Sequence, residues 1–302
     1  MKIHRTAYAL ILSLFVIPGC LQPVADDRPP QQWPVRLTQA PGAAQTHQPP
    51  VVLWTMTRIE PAPVAAYFLR IDLQHPQVEI IAMPAGDPDG DGPAEASLTR
   101  PLKLVEKHRA VAAVNCNGFA GLPGPDGKRS QRWHRGMPVD IIGLVVADGT
   151  MRSPADTEGN NLCFWTGKDG RPHIGKFPND TPEVDEGCNA WWIDLVKDGR
   201  VLPRPGGKRH PRTALGLDKT GRWLLMVVVD GRQAGYSVGM TAHELAKLML
   251  ENGCHRAINL DGGGSSVMIA GDATGAPEVV TRPSGGKPRP LPVMLGVRRK
   301  TP

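Results

Sequence analysis

The sequence predicts an α+β fold: a mixed, mostly β central sheet with flanking helices, long Gly/Pro-rich loops and a C-terminal βαβ unit. Three observations carry this. Glycine and proline contribute 34 and 31 of the 302 residues, and turn residues at that density divide a chain into short strands. Thr241–Asn252 has helical periodicity between two β-rich runs. Leu98–His108 followed by Val111–Val114 repeats the same helix-then-strand order.

The elements follow from local chemistry. Val51–Trp54, Ala66–Leu73 and Val78–Met83 are β-branched or apolar runs and read as strands. Leu98–His108 reads as a helix starting near Ser97 or Thr99, with Pro101 tolerated in its first turn. Val111–Val114 is a buried strand, Gly121–Gln131 a long loop and Asp140–Ala147 one strand. Asp148-Gly149 and Asp198-Gly199 are hairpin signals, the second closing a strand at Ala190–Val196. Ala214–Leu217 and Trp223–Val229 are strands joined by a turn near Lys219–Gly221. Thr241 and Glu244 have capping-box spacing. Leu245, Leu248 and Met249 form an apolar stripe, and Gly253 suits the helix end. With Arg256–Leu260 as the next strand, Trp223–Val229 and Arg256–Leu260 are expected to run parallel as neighbours. That would put Asp230 and Asp261 on the sheet edge where open α/β sheets bind ligands.

The N-terminus reads as an export signal. Lys2 and Arg5 precede an apolar core, Ala7–Ile17, too short for a span of ~20 apolar residues. Gly19-Cys20 resembles a bacterial lipobox, which implies cleavage before Cys20 and lipidation of its thiol. The expected organisation is a signal peptide over 1–19, a lipidated Cys20 with a disordered tether over 20–50, and one folded domain over 51–302. A membrane is therefore an expected partner, through lipid. The net charge of +6 is scattered, with no basic stripe interleaved with aromatics, which argues against nucleic acid. Cys116, Cys163, Cys188 and Cys254 show no CxxC spacing. Among their three possible pairings Cys163–Cys188 is favoured, with buried free thiols as the alternative.

The chemistry-bearing residues cluster in three stretches. "INLDGGGSS" (258–266) offers Asn259, Asp261, consecutive amides at Gly262, Gly263 and Gly264, and the hydroxyls of Ser265 and Ser266. Such a concavity suits phosphate, and a tight turn capped by Asp261 is the alternative. "KRHPRT" (208–213) supplies His210, a group that titrates near neutrality, Arg212, able to fork onto phosphate, and Thr213; a solvated basic loop is the alternative. "VNCNG" (114–118) matches the apolar-Asn-x-(Asn/Asp)-Gly pattern of Ile258–Gly262, so Asn115, Asn117 and Gly118 are expected to meet the later strand end at one pocket. Trp133 is a candidate sugar platform or a core residue. "DPDGDG" (87–92) starts like a calcium loop, but Leu98 stands where the bidentate Glu belongs. No nucleotide, metal or cofactor motif is present, and no cofactor is expected.

In order, "AVNCNGF", "RHPRTALGLDKTG", "VVVDGRQAGYSVGMTAHELAKLMLENGC", "AINLDGGGSSVM" and "RPLPVMLGV" resemble the phosphodiester glycosidase family. The likeness covers roughly residues 111–297 and is strongest over 209–268, and "NCNGF" departs from the more usual Asn-Gly-Gly-Phe. It implies hydrolysis of a sugar 1-phosphodiester at the anomeric carbon, in a glycan or envelope polymer. On that reading Arg212 and the Gly262–Gly264 amides hold the phosphate, and Asp261, or else Asp230, is the catalytic carboxylate. Asn115 and Asn259 orient oxygens, Thr213, Ser265 and Ser266 add hydrogen bonds, and His210 assists proton transfer. A lipoprotein that binds phosphorylated glycans without catalysis is the competing expectation.

Overall fold

A computed structural model describes residues 33–41, 49–156, 159, 161–178 and 183–300. The expected signal peptide, Cys20 and much of the expected tether lie outside the described residues. Trp33–Leu37, assigned to the tether, is packed instead. Trp33 is buried, and Val35–Arg36 pairs in parallel with the strand Val51–Arg58.

Among the described residues the strands form four sheets, not one central sheet. The largest has eight strands, in the spatial order Val35–Arg36, Val51–Arg58, Val64–Asp72, Trp223–Val229, Arg212–Leu217, Arg256–Asn259, Ile193–Lys197 and Arg200–Val201. A second has five: Pro277–Val279, Met268–Gly271, Ala112–Asn115, Val293–Arg299 and Val78–Pro84. A third five-stranded sheet spans residues 145–189, and Ala96–Ser97, Pro138–Ile141 and Phe119–Gly121 form a small fourth.

Both faces of the eight-stranded sheet are buried, which explains its nearly continuous apolar strands. Side chains alternate faces along a strand. Leu69, Ile71, Leu215, Leu224, Met226 and Ile258 enter a core shared with Met83, Val114, Ile269 and Leu295 of the second sheet. Ala66, Phe68, Ala214, Leu225, Val227 and Ala257 face the other way. There they pack against Leu245, Ala246, Leu248 and Met249 of the helix Ala242–Glu251. That helix has the expected capping box: Glu244 N–H donates to the Thr241 hydroxyl and Thr241 N–H to the Glu244 carboxylate. The other α-helix of the described residues, Pro101–His108, starts later than predicted, with Pro101 at its first position. It packs against the second sheet.

Three further expectations are corrected. Trp223–Val229 and Arg256–Asn259 are not neighbours, because Arg212–Leu217 lies between them, antiparallel to both. The unit is thus a helical crossover that skips one strand. Its outer strands still share a direction, so their C-terminal ends share an edge. Asp140–Ala147 is two strands in different sheets, broken at Gly143 (φ +77°). Cys163 and Cys188 are not joined, and the four described cysteines are buried free thiols. Cys163 stands opposite Asn189 and Cys188 opposite Phe164 on paired strands. This one-residue offset turns the thiols to opposite faces of the sheet.

Candidate active site

One edge of the eight-stranded sheet gathers the residues that matter. Register places Arg212, at the start of its strand, opposite Val229, and Ala214 opposite Asn259. Asp230 and Asp261 therefore leave the sheet on the same edge, on either side of the Arg212 strand. Two strand spacings separate their strands, roughly 10 Å.

The second sheet meets this edge through Asn115. Its amide nitrogen donates to Asp261 O (2.6 Å), and its carbonyl oxygen accepts from the Thr213 hydroxyl (2.7 Å) and Val267 N–H (3.1 Å). Asp261 N–H donates to Cys116 O (2.9 Å). The two similar strand ends do converge. Asn115 and Thr213 are fully buried, however, and occupied with each other. They fasten the two sheets and hold Asp261 in place. Asn117 is also an internal fastener: its amide donates to the carbonyls of Ile142, Gly143 and Leu144 (3.0–3.3 Å). Gly118 has no room for a side chain because the Trp191 ring lies against it.

Asp261 is followed by a 3₁₀ turn, Gly263–Ser265. The expected amide cradle is largely spent on this turn. Gly262 N–H donates to the Asp261 carboxylate (2.8 Å) and Gly263 N–H to Pro211 O (2.9 Å). Gly264 is the one glycine amide of the three left without a partner among the described residues. What the glycines provide is close approach. A Cβ on Gly262 would stand 2.9 Å from Pro211 O and 3.8 Å from Arg212 Cα. One on Gly263, which also needs φ +62°, would stand 3.1 Å from Arg232 Nη2. One on Gly264 would overlap the Arg289 guanidinium. Three arginine-bearing segments thus come up against one bare backbone.

These arginines carry net charge into the site. None of Arg212, Arg232 and Arg289 makes an ion pair among the described residues. Arg212 is aimed by neutral acceptors, Met240 O (3.2 Å) and Asn259 Oδ1 (3.5 Å). Arg289 Nη1 donates to Ser265 Oγ (3.2 Å), and Ser265 in turn bonds the Asp261 carboxylate. Arg232 Nη2 lies 3.5 Å from His210 Nδ1. Burial, with the charges of Arg212, Arg232 and Lys208, holds the His210 imidazole below its ordinary value. Ser266 is buried with no partner for its hydroxyl among the described residues.

The two carboxyls differ. Desolvation raises Asp261 to about 6, against the opposing pull of Ser265, Arg289 and the Gly262 amide. Desolvation also raises Asp230 to about 6. Asp230 is 2% exposed and already held by Arg282 N–H (2.8 Å) and the Tyr236 hydroxyl (3.0 Å). Tyr236 bonds Tyr67 in turn (2.8 Å). Asp261 keeps partial exposure and feels the charge of the Arg289 guanidinium.

Arg232 and Arg289 were not among the sequence-predicted site residues, nor was Trp191. Each is isolated in sequence and reaches the site through a long-range contact. The available signal was the position of Arg232 two residues after Asp230 and of Arg289 at the head of "RPLPVMLGV". Trp133 is half-buried against Phe119 and the main core.

Arg212, Arg232 and Arg289 thus gather at the sheet edge that carries Asp261, an arrangement able to hold an anion. The chain belongs to the phosphodiester glycosidase family, whose model matches residues 108–298. It is 30% identical over 183 residues to the SPbeta prophage-derived uncharacterized protein YomE of Bacillus subtilis strain 168. That match covers 55% of this chain and only 25% of that relative. The fold is similar to the catalytic domain of zebrafish N-acetylglucosamine-1-phosphodiester alpha-N-acetylglucosaminidase, auto-inhibited by its pro-peptide. The TM-score is 0.59 at 18% identity, covering 85% of this chain and 86% of that one. A hypothetical protein from Synechocystis gives a TM-score of 0.57 at 13% identity, over 84% of this chain and 64% of that one.

Proposed function

We propose that this protein is an exported glycosidase that hydrolyses the anomeric C–O bond of a sugar 1-phosphodiester in a glycan or envelope polymer. The observation that carries this is the approach of the Arg232 and Arg289 guanidiniums to the bare Gly263–Gly264 backbone beside Asp261, with Arg212 at the start of the adjacent strand. The phosphodiester anion lies on Arg212, Arg232 and Arg289, which stabilise the charge that collects on phosphate as the C–O bond breaks. A phosphomonoester is a good leaving group, so little protonation is required. Asp261, ionised above pH about 6, serves the anomeric carbon as nucleophile or as the base that activates water. His210, whose imidazole is held toward its neutral form, takes the proton of the attacking water where Asp261 acts as the nucleophile. Asp230 positions the Arg282 segment and does not touch substrate. The signal-like N-terminus, with Gly19-Cys20 resembling a lipobox, supports export and anchoring through Cys20.

The test is turnover of a panel of sugar 1-(methyl phosphodiesters), read as free sugar plus methyl phosphate. Asp261→Asn, with its melting temperature retained, is expected to lower turnover by about 10²–10⁴-fold. Unchanged turnover in that variant would contradict the assignment. Tight binding without turnover across the panel would favour the binding-lipoprotein reading.

A further inference from the structure

We propose that Trp192, seated on Trp191, is the stacking platform for the pyranose ring of the substrate, on the same sheet edge as the anion site. The proposal rests on the reading of that site as one for a sugar 1-phosphodiester. Trp192 is 53% exposed and is the one aromatic among the large exposed apolar side chains of the described residues. Its backbone has φ +50°. A bulky residue rarely adopts this conformation, and strain of this kind gathers at functional sites. A fold gains nothing for its core by holding an exposed indole on a strained backbone.

The ring is also rigidly backed. Trp191 and Trp192 meet edge to face, with centroids 4.2 Å apart and planes at 81°, a favoured aromatic arrangement. Trp191 is fixed from below by bare Gly118 and tied to the site by its N–H, which donates to Asn259 O (2.7 Å). Asn259 is the residue whose side-chain oxygen faces Arg212. Ile193 stands opposite Asn259 in the sheet, so Trp192 precedes its strand at the ligand edge. It lies two strands from the start of the Arg212 strand, roughly 10 Å by strand spacing, which suits one pyranose ring beyond its phosphate. The apolar C–H face of a pyranose matches an indole face, and the guanidiniums take the anion.

Calorimetric binding of two probes, inorganic phosphate and N-acetylglucosamine 1-phosphate, tests this on the full chain and on three variants. The wild type is expected to bind the sugar phosphate at least about tenfold more tightly than phosphate. Trp192→Ala should abolish that preference while phosphate affinity stays within about twofold. Trp192→Phe should restore most of it. Trp192→Asn, better suited to positive φ, should keep or raise the melting temperature without restoring it. Equal sugar-phosphate affinity in wild type and Trp192→Ala, or no preference in the wild type, would overturn the platform. A Trp192-dependent preference in a protein that turns over no phosphodiester would support the platform and defeat the hydrolase reading.

Discussion

Gly264 shows what a missing side chain does at this site. Without a Cβ, the Arg289 guanidinium can lie over the turn after Asp261 and hold Ser265 against the carboxylate. Arg289 favours ionised Asp261, opposing the larger effect of desolvation. Its removal therefore raises the Asp261 pKa further above about 6. If activity needs the ionised form, the acidic limb of the kcat/KM profile for Arg289→Ala should move to higher pH, beside a loss of phosphate affinity. A limb that stays in place would separate Arg289 from Asp261. The sequence showed glycines and an acid at 261–264, and the nest it suggested is real chemistry for such a run. Two of its amides are consumed by Asp261 and Pro211 instead. The arginines that exploit the bare backbone come from segments whose approach no local pattern encodes.

Among the elements, locally determined features matched expectation best. The Thr241–Glu244 capping box and the strand Trp223–Val229 follow from neighbours in sequence. So do the Asp-Gly turns with φ of +50 to +52° at Asp148 and Asp198. Strand adjacency did not follow, since inserting Arg212–Leu217 between two parallel strands is a choice made by the whole sheet. One element carries its own pH dependence. Glu186, on the strand Val184–Asn189, is 3% exposed and accepts from Ala82 N–H (2.6 Å) and Asp148 N–H (2.9 Å). Burial raises it to about 8 despite those bonds. Its folded pKa exceeds its unfolded one, so its contribution to stability is full below about 4.5 and is lost as pH rises through about 8. Glu186→Gln, which removes the titrating group, should flatten that decline, measured by urea unfolding between pH 5 and 9. A wild-type slope retained in the variant would place the titration elsewhere.

Across the whole molecule, the site exists because two sheets are joined at Asn115. The sequence drew attention to Asn115, Asn117 and Asn259 as polar groups at strand ends and read them as ligands for substrate. All three are buried and satisfied mainly by the protein itself. A buried asparagine and a ligand-binding one look alike in sequence, and contacts such as Asn115 to Asp261, 146 residues apart, decide between them. The ordered motifs converge on one edge of one sheet, and the family match over residues 108–298 covers it. What distinguishes a glycosidase from a phosphodiesterase at this edge is the bond that breaks. Hydrolysis of a sugar 1-phosphodiester in ¹⁸O-labelled water, followed by mass spectrometry of both products, tests it directly. Label in the free sugar and none in the phosphomonoester is the expected result. Label in the phosphomonoester would show P–O cleavage and contradict a glycosidase mechanism.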